Sequence, residues 1–323
     1  LFSFCLLLVS VGVSAQFGVL APLHVEGSQL QDAQGNRVVL HGVMDTPSPY
    51  FNNQRWGTSA SVGYVNKCID YFNTLYTAVT DTAQGACCNV FRLHLDPAWC
   101  FSNASGESDY KKFSYSRFKQ FWEKLYRPLI LNALGHGLYV IVRPPGVCPA
   151  EIKVGDDYQQ YLEKVWDYVS QDDSIKKYSG YVMLELANEP VDILNAAGNK
   201  DNTGQAPHDF FQPICDLIRQ NGYTGIIWVP GAGYQSIYNG YVDHPITGYN
   251  IGFAVHDYPG WYGSEQAIGD SAKYIANFEA MVPVVKTHPV VITEVDWSPE
   301  KPGEGKYNEF GQWVPANYGT WGT

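Results

Sequence analysis

Seven short runs of apolar, largely β-branched residues recur along the chain, each closed by polar residues, Gly or Pro. They lie at 36–45 (NRVVLHGVMD), 87–96 (CCNVFRLHLD), 138–145 (LYVIVRPP), 181–190 (YVMLELANEP), 226–231 (IIWVPG), 250–259 (NIGFAVHDYP) and 289–297 (PVVITEVDW). Apolar runs without strict alternation predict strands buried on both faces, as in a parallel sheet. Between them, apolar residues recur three and four apart at 62–80, 115–134, 158–169, 210–218 and 274–285, which predicts helices with one buried, aromatic-rich face. Gly137, Gly180 and Gly222 follow three of these helices, where C-terminal glycines are expected. Strand and helix alternate with no internal repeat and no Pro/Ser-rich linker, so the expectation is one α/β domain at 16–323.

Seven strands are one fewer than a closed (β/α)8 TIM barrel requires, although 323 residues exceed the roughly 250 typical of that fold. Past Trp297 the chain is rich in Pro and Gly and offers no apolar strand followed by a helix. The predicted architecture is therefore a (β/α)8 barrel truncated at its C-terminus and lacking the eighth strand-helix unit. A doubly wound open sheet is the alternative, but it gives no reason for strand-end carboxylates to converge.

In a parallel barrel the active site lies at the C-terminal ends of the strands. The residues expected there are His41 and Asp45, then Arg92, His94 and Asp96, then Arg143, Asn188 and Glu189, His256 and Tyr258, and last Glu294, Asp296 and Trp297. One polar residue at a strand end is ordinarily the start of a loop; titratable groups at nearly all of them form a pattern. Two strand-end glutamates, far apart in sequence, are what a glycosidase needs: one carboxyl protonates the leaving oxygen and the other attacks the sugar. Glu185 shares a strand with Glu189 and lies deeper on the same face, so it is expected to be a buried structural acid.

Asn188-Glu189-Pro190, His256-Asp257-Tyr258 and Thr293-Glu294, in that order and each ending an apolar strand, resemble glycoside hydrolase family 5, the retaining barrel enzymes that include many cellulases. The resemblance implies Glu189 as general acid/base and Glu294 as nucleophile. It implies Asn188 as the partner of the sugar 2-hydroxyl, Arg92 as the charge that keeps Glu294 ionised, and Tyr258 as a donor to Glu294 beside His256. Many relatives carry a histidine at the end of the third strand, where this chain has Val142-Arg143-Pro144-Pro145. His41 and His94 are the available imidazoles. Trp261 and Trp297 can stack on sugar rings or pack in the core, and the loop aromatics Tyr50, Trp56, Trp99 and Tyr262 are candidates to set specificity.

Composition sharpens this reading. A net charge of −11 with no basic block disfavours nucleic acid as a partner, whereas 15% aromatic residues suit a neutral, ring-stacking ligand. Residues 1–15 combine an apolar stretch too short to span a bilayer with the small-x-small pattern Val13-Ser14-Ala15, which predicts a secretory signal peptide and an extracellular or periplasmic destination. Export would permit disulfides among Cys68, Cys87, Cys88, Cys100, Cys148 and Cys215, with Cys100 and Cys148, each after a strand end, the first pair to test. Asn103-Ala104-Ser105 is a glycosylation sequon. No cysteine or histidine spacing resembles a metal site, and no cofactor is expected. The sequence thus predicts an exported, monomeric endo-β-1,4-glucanase acting on cellulose or mixed-linkage β-glucan. The alternatives are an endo-mannanase or xyloglucanase on the same scaffold and a carbohydrate-binding fragment without turnover.

Overall fold

A computed structural model describes residues 20–49, 56–57, 59–102, 109–258, 261–263, 270–295, 300–307 and 313–317. The segment at 1–15, Tyr50, Asn103, Asp296 and Trp297 lie outside the described residues. Seven parallel strands form the central sheet: β3 (Gly42–Asp45), β4 (Val90–His94), β5 (Tyr139–Arg143), β7 (Val182–Glu185), β9 (Ile227–Pro230), β10 (Ile251–Asp257) and β11 (Val290–Val295). They neighbour one another in chain order, with β3 and β11 at the edges. The result is a nearly closed barrel.

Every residue of β4, β5, β7, β9 and β10 is buried, the two-faced burial that their unbroken apolar runs predict. The edge strands differ: Val43 and Met44 of β3 and Ile292 and Val295 of β11 remain exposed. A cavity of about 390 Å³ lies among Gly42–Met44, Arg92, Tyr258 and Val291–Val295. Beyond β11 the described residues add no eighth parallel strand; β12 (Glu300–Tyr307) and β13 (Trp313–Asn317) form a separate antiparallel pair. Its Gly- and Pro-rich sequence carries no apolar run, which is why the pattern did not announce it.

Four of the five predicted helices bury the stripes their spacing predicts, whereas Ser271–Met281 only half-buries Tyr274, Phe278 and Met281 against the core. Val65–Thr80 turns Val65, Cys68, Phe72, Tyr76 and Val79 inward, where Phe72 and Tyr76 meet Phe91 of β4 edge-to-face at 6.0 and 5.0 Å. Asp157–Gln171 starts where the Asp156 side chain accepts from the Tyr158 and Gln159 N–H groups, and it buries Leu162, Val165, Trp166 and Val169. The helix predicted at 115–134 is interrupted: Tyr115–Phe121 passes into a π segment, Trp122–Tyr126, before Arg127–Gly135. Pro128 explains the break, because it has no N–H to give and its ring crowds the carbonyl one turn earlier.

Four further strands carry too little apolar sequence to stand out. β1 (Leu23–Glu26) and β2 (Gln29–Asp32) form a hairpin whose turn has Gly27 at φ +57°. It covers the N-terminal end of the barrel through Leu23 N–H to Gly180 O (2.8 Å), Val25 N–H to Asn250 Oδ1 (2.8 Å) and Tyr139 O–H to Ala21 O (2.7 Å). At the opposite end β6 (Glu151–Lys153) and β8 (Asp192–Leu194) make a small parallel ribbon tying the loop after β5 to the loop after β7.

The six described cysteines are free thiols, so Cys100 and Cys148 are not paired. Cys100 Sγ lies 3.7 Å from the Tyr126 hydroxyl, while burial pushes the Cys148 thiol up to about 12. Among the described residues no helix is long and apolar enough to cross a membrane.

Candidate active site

The C-terminal ends of β4, β7, β10 and β11 bring Arg92, Asn188, Glu189, His256, Tyr258 and Glu294 together. β11 has an irregular register against β10: Val255 pairs with Ile292 and His256 with Glu294, leaving Thr293 as an extra residue. In a regular strand neighbouring side chains point to opposite faces; a bulge lets two in succession point inward. Thr293 Oγ1 accordingly donates to Glu185 Oε1 at 3.1 Å, while Glu294 reaches Arg92 and Tyr258.

Glu294 Oε1 accepts from Arg92 Nη1 at 2.7 Å and its Oε2 accepts from the Tyr258 hydroxyl at 2.8 Å. Burial alone would raise its pKa, but the positive charges of His256 (when protonated), Arg92 and Arg143 outweigh burial and hold the carboxyl at about 2. Glu294 is therefore anionic throughout the physiological range.

Glu189 sits above it. One carboxylate oxygen of each glutamate and a ring nitrogen of His256 lie within 4.8 Å of one another. His256 Nδ1 faces both carboxylates, 3.2 Å from Glu189 Oε1 and 3.6 Å from Glu294 Oε2. The Glu189 side chain is 26% exposed and that of Glu294 12%, so Glu189 is the carboxyl with more access to water. Among the described residues this is also the one set of three acidic or histidine side chains close enough to share a cation.

Arg92 is buried and every face of its guanidinium is used. Nε and Nη2 grip Glu185 at 2.6 and 2.9 Å, Nη2 also donates to Asn188 Oδ1 at 2.7 Å, and Nη1 reaches Glu294. Burial would lower its pKa, yet Glu185 and then Glu294 drive it above the ordinary arginine value. Glu185 is fully buried beneath the site and also accepts from Gln235 Nε2 at 3.2 Å.

Other candidates lie elsewhere. His41 precedes β3 and is exposed at the N-terminal end of the barrel, pairing through its backbone with Asn89; the strand begins one residue after it, so it is at the wrong end for the site. His94 is buried with its Nε2 accepting the Gly146 N–H at 3.1 Å, which supports the loop after β5. Burial, reinforced by Arg143 and Arg92, pulls its pKa far below the usual histidine value and keeps it neutral. Trp56 and Trp99 stack on each other at 5.7 Å in the core, and Tyr262 is buried, so none of the three is a free loop aromatic.

Trp261 is half-buried, edge-to-face with Tyr258 at 5.2 Å and 6.4 Å from Tyr234, and it borders a cleft of about 520 Å³. Tyr234 is one residue that no motif or periodicity singles out. Gln235 is another: it sits in a Gly-Tyr-Gln turn that matches no motif, yet its Oε1 accepts the Glu189 backbone N–H at 2.7 Å.

A parallel barrel with two facing carboxylates at its C-terminal rim, one held anionic by an arginine, is the framework of a glycosidase. The sequence model of the cellulase family (glycosyl hydrolase family 5) matches residues 52–317, and the chain belongs to that family. An endoglucanase of Bacillus sp. (strain KSM-635) is 29% identical over 139 residues, which is 41% of this chain but only 14% of that relative's length. Among solved structures, a β-glucanase of Saccharophagus degradans superposes with a TM-score of 0.59 at 16% identity, covering 89% of this chain and 77% of that one. The catalytic domain of a Thermobifida fusca endoglucanase gives 0.55 at 18% identity over 91% and 78% of the two chains. A mannanase catalytic domain of Streptomyces sp. SirexAA-E gives 0.51 at 16% identity over 91% and 76%.

Proposed function

We propose that this chain is an exported, monomeric endo-β-1,4-glucanase that cleaves cellulose or mixed-linkage β-glucan with retention of configuration. The observation that carries the reading is the approach of Glu189 and Glu294 to within 4.8 Å. Retaining glycosidases hold their two carboxyls about 5–5.5 Å apart, whereas inverting enzymes need room for a water between them.

In this mechanism Glu294, already ionised, attacks the anomeric carbon as Glu189 protonates the departing glycosidic oxygen. The carbon–oxygen bond to the leaving sugar breaks and an ester bond to Glu294 forms. Water then enters beside the more exposed Glu189, which takes its proton while the oxygen attacks the same carbon and releases Glu294. Arg92 and the Tyr258 hydroxyl stabilise the departing carboxylate of Glu294, and His256 Nδ1 lies in reach of both acids throughout. Asn188, oriented by Arg92, is available to the sugar 2-hydroxyl, and Trp261 to a sugar face. The apolar segment at 1–15 with its small-x-small pattern supports export.

Reducing-sugar release from carboxymethylcellulose, barley β-glucan, xyloglucan and mannan tests the assignment. The highest rate is expected on one of the first two. Preference for mannan or xyloglucan would transfer the same chemistry to a different glycan. A folded chain that binds one of them and hydrolyses none would support the reading of a carbohydrate-binding protein without turnover.

A further inference from the structure

Three successive residues, Gly233, Tyr234 and Gln235, adopt left-handed backbone conformations, each at φ +60°. L-residues visit this region singly and rarely. The turn is closed by paired bonds between Ala232 and Ile237 at 3.1 Å and zipped onto the chain just after Glu189: Gly233 N–H donates to Val191 O and Tyr234 N–H to Pro190 O, both at 2.9 Å. The consequence is at its third residue. The Gln235 side chain is driven into the barrel and is fully buried.

There its amide touches three parts of the site. Oε1 accepts the backbone N–H of Glu189 at 2.7 Å, and Nε2 donates to Glu185 Oε1 at 3.2 Å and to Ala254 O on β10 at 3.1 Å. The chemistry fixes the amide's orientation: a peptide N–H requires an acceptor, and a carboxylate and a carbonyl require a donor. Glu189 is itself left-handed at φ +57°, a conformation a glutamate holds only when its surroundings impose it. The Gln235 bond falls on the amide of that same residue.

We infer that Gln235 is a positioning residue for Glu189, holding its backbone in the left-handed conformation that aims the carboxyl at the leaving oxygen. The inference rests on the reading of Glu189 as the general acid. Without this bond the fold can persist, but the Glu189 carboxyl loses its fixed height over Glu294. Proton donation should suffer most, while attack by Glu294, which accepts directly from Arg92 and Tyr258 and meets Gln235 only through Glu185 and Arg92, should suffer far less.

Leaving-group dependence separates these effects. Gln235→Ala and the similarly long Gln235→Met are compared with the unaltered chain by kcat/KM on a cello-oligosaccharide and on 2,4-dinitrophenyl β-cellobioside, whose leaving group departs without a proton. We expect a loss of about 10²-fold on the oligosaccharide, the scale of general-acid assistance, with less than about threefold on the activated glycoside. Equal losses on both substrates, no loss on either, or failure of both variants to fold would make Gln235 a structural residue and overturn the inference. An unaltered chain inactive on both substrates would instead overturn the reading of the site itself.

Discussion

Glu185 and Arg92 are locked together beneath the two facing carboxylates, Nε to Oε2 at 2.6 Å and Nη2 to Oε1 at 2.9 Å, and both side chains are buried. Arg92 in turn fixes Asn188 and Glu294, so a glutamate beneath the cleft sets the orientation of groups that line it. Glu185→Ala leaves a buried guanidinium with one carboxylate fewer, and the expected loss is about 3–5 kcal/mol of stability. Denaturant unfolding checks this. Glu185→Gln, which keeps the shape, should lose less stability but still lower kcat/KM; a variant with unaltered kinetics would show that Arg92 needs no such anchor.

The pH dependence follows from two carboxyls shifted in opposite senses. Glu294 is held at about 2 against an ordinary 4.5, because positive neighbours outweigh burial. A depressed folded-state pKa stabilises the fold above the unfolded value, and this contribution, roughly 3 kcal/mol, is lost as pH falls toward 2. Asp257 is the reverse: burial lifts it to about 6 despite the hydrogen bond from the Tyr274 hydroxyl. Its protonated form favours the fold, and that contribution is lost as pH rises through about 6. Unfolding measured from about pH 3 to 7 should show Glu294→Gln closing its gap to the unaltered chain on acidification, and Asp257→Asn gaining on it as pH rises. Trends of the opposite sign would withdraw these assignments.

In the proposed mechanism Glu294 attacks the sugar, so its removal should separate binding from turnover. Glu294→Gln is expected to lower kcat by about 10⁴-fold or more, while calorimetric titration with a cello-oligosaccharide still registers binding. Near-normal rates would remove Glu294 from the mechanism.

Trp261 and Tyr258 touch each other but should fail differently. Trp261→Ala removes a ring bordering the cleft and should raise KM about 3- to 10-fold with kcat little changed. Tyr258→Phe removes one of the donors to Glu294 and should lower kcat by about tenfold or more at similar KM. Steady-state kinetics on one oligosaccharide decides both; a KM effect for Tyr258→Phe would make it a binding group.

Much of this arrangement was written in hydrophobic periodicity. The seven sheet strands were legible as apolar runs, which burial on both faces demands of the five inner ones, and the residues ending them named Arg92, Asn188, Glu189, His256, Tyr258 and Glu294. His41 was misplaced because its run extends several residues ahead of the hydrogen-bonded strand, so a residue read at the far end stands at the entrance. Trp56 and Trp99 looked like loop aromatics because sequence does not reveal that they stack in the core. Gln235 was invisible because its importance comes from a left-handed turn, and no side-chain pattern encodes a buried amide meeting a distant peptide N–H.

Gly180 was legible as a required glycine but for a different reason. It follows a short helix at Asp173–Lys177, the setting of a left-handed cap, yet it is absent from the glycines with positive φ, unlike Gly137 at +81° and Gly222 at +86°. What Gly180 supplies is space. A Cβ there would lie 2.5 Å from Pro22 Cβ and 3.1 Å from Pro22 Cα, and its own carbonyl accepts the Leu23 N–H at 2.8 Å. Pro22 is rigid and cannot swing aside as a long side chain would. Gly180→Ala should therefore push the N-terminal hairpin off the base of the barrel and destabilise the fold by about 1–3 kcal/mol. Gly222→Ala tests the other kind of requirement, since only a Lys176 side-chain carbon lies near and the left-handed backbone is the obstacle. Limited proteolysis distinguishes the two: Gly180→Ala should expose the chain near residues 20–32 to early cleavage, whereas Gly222→Ala should not. Intact protection of the hairpin in Gly180→Ala would mean that the base of the barrel yields more readily than its contacts with Pro22 imply.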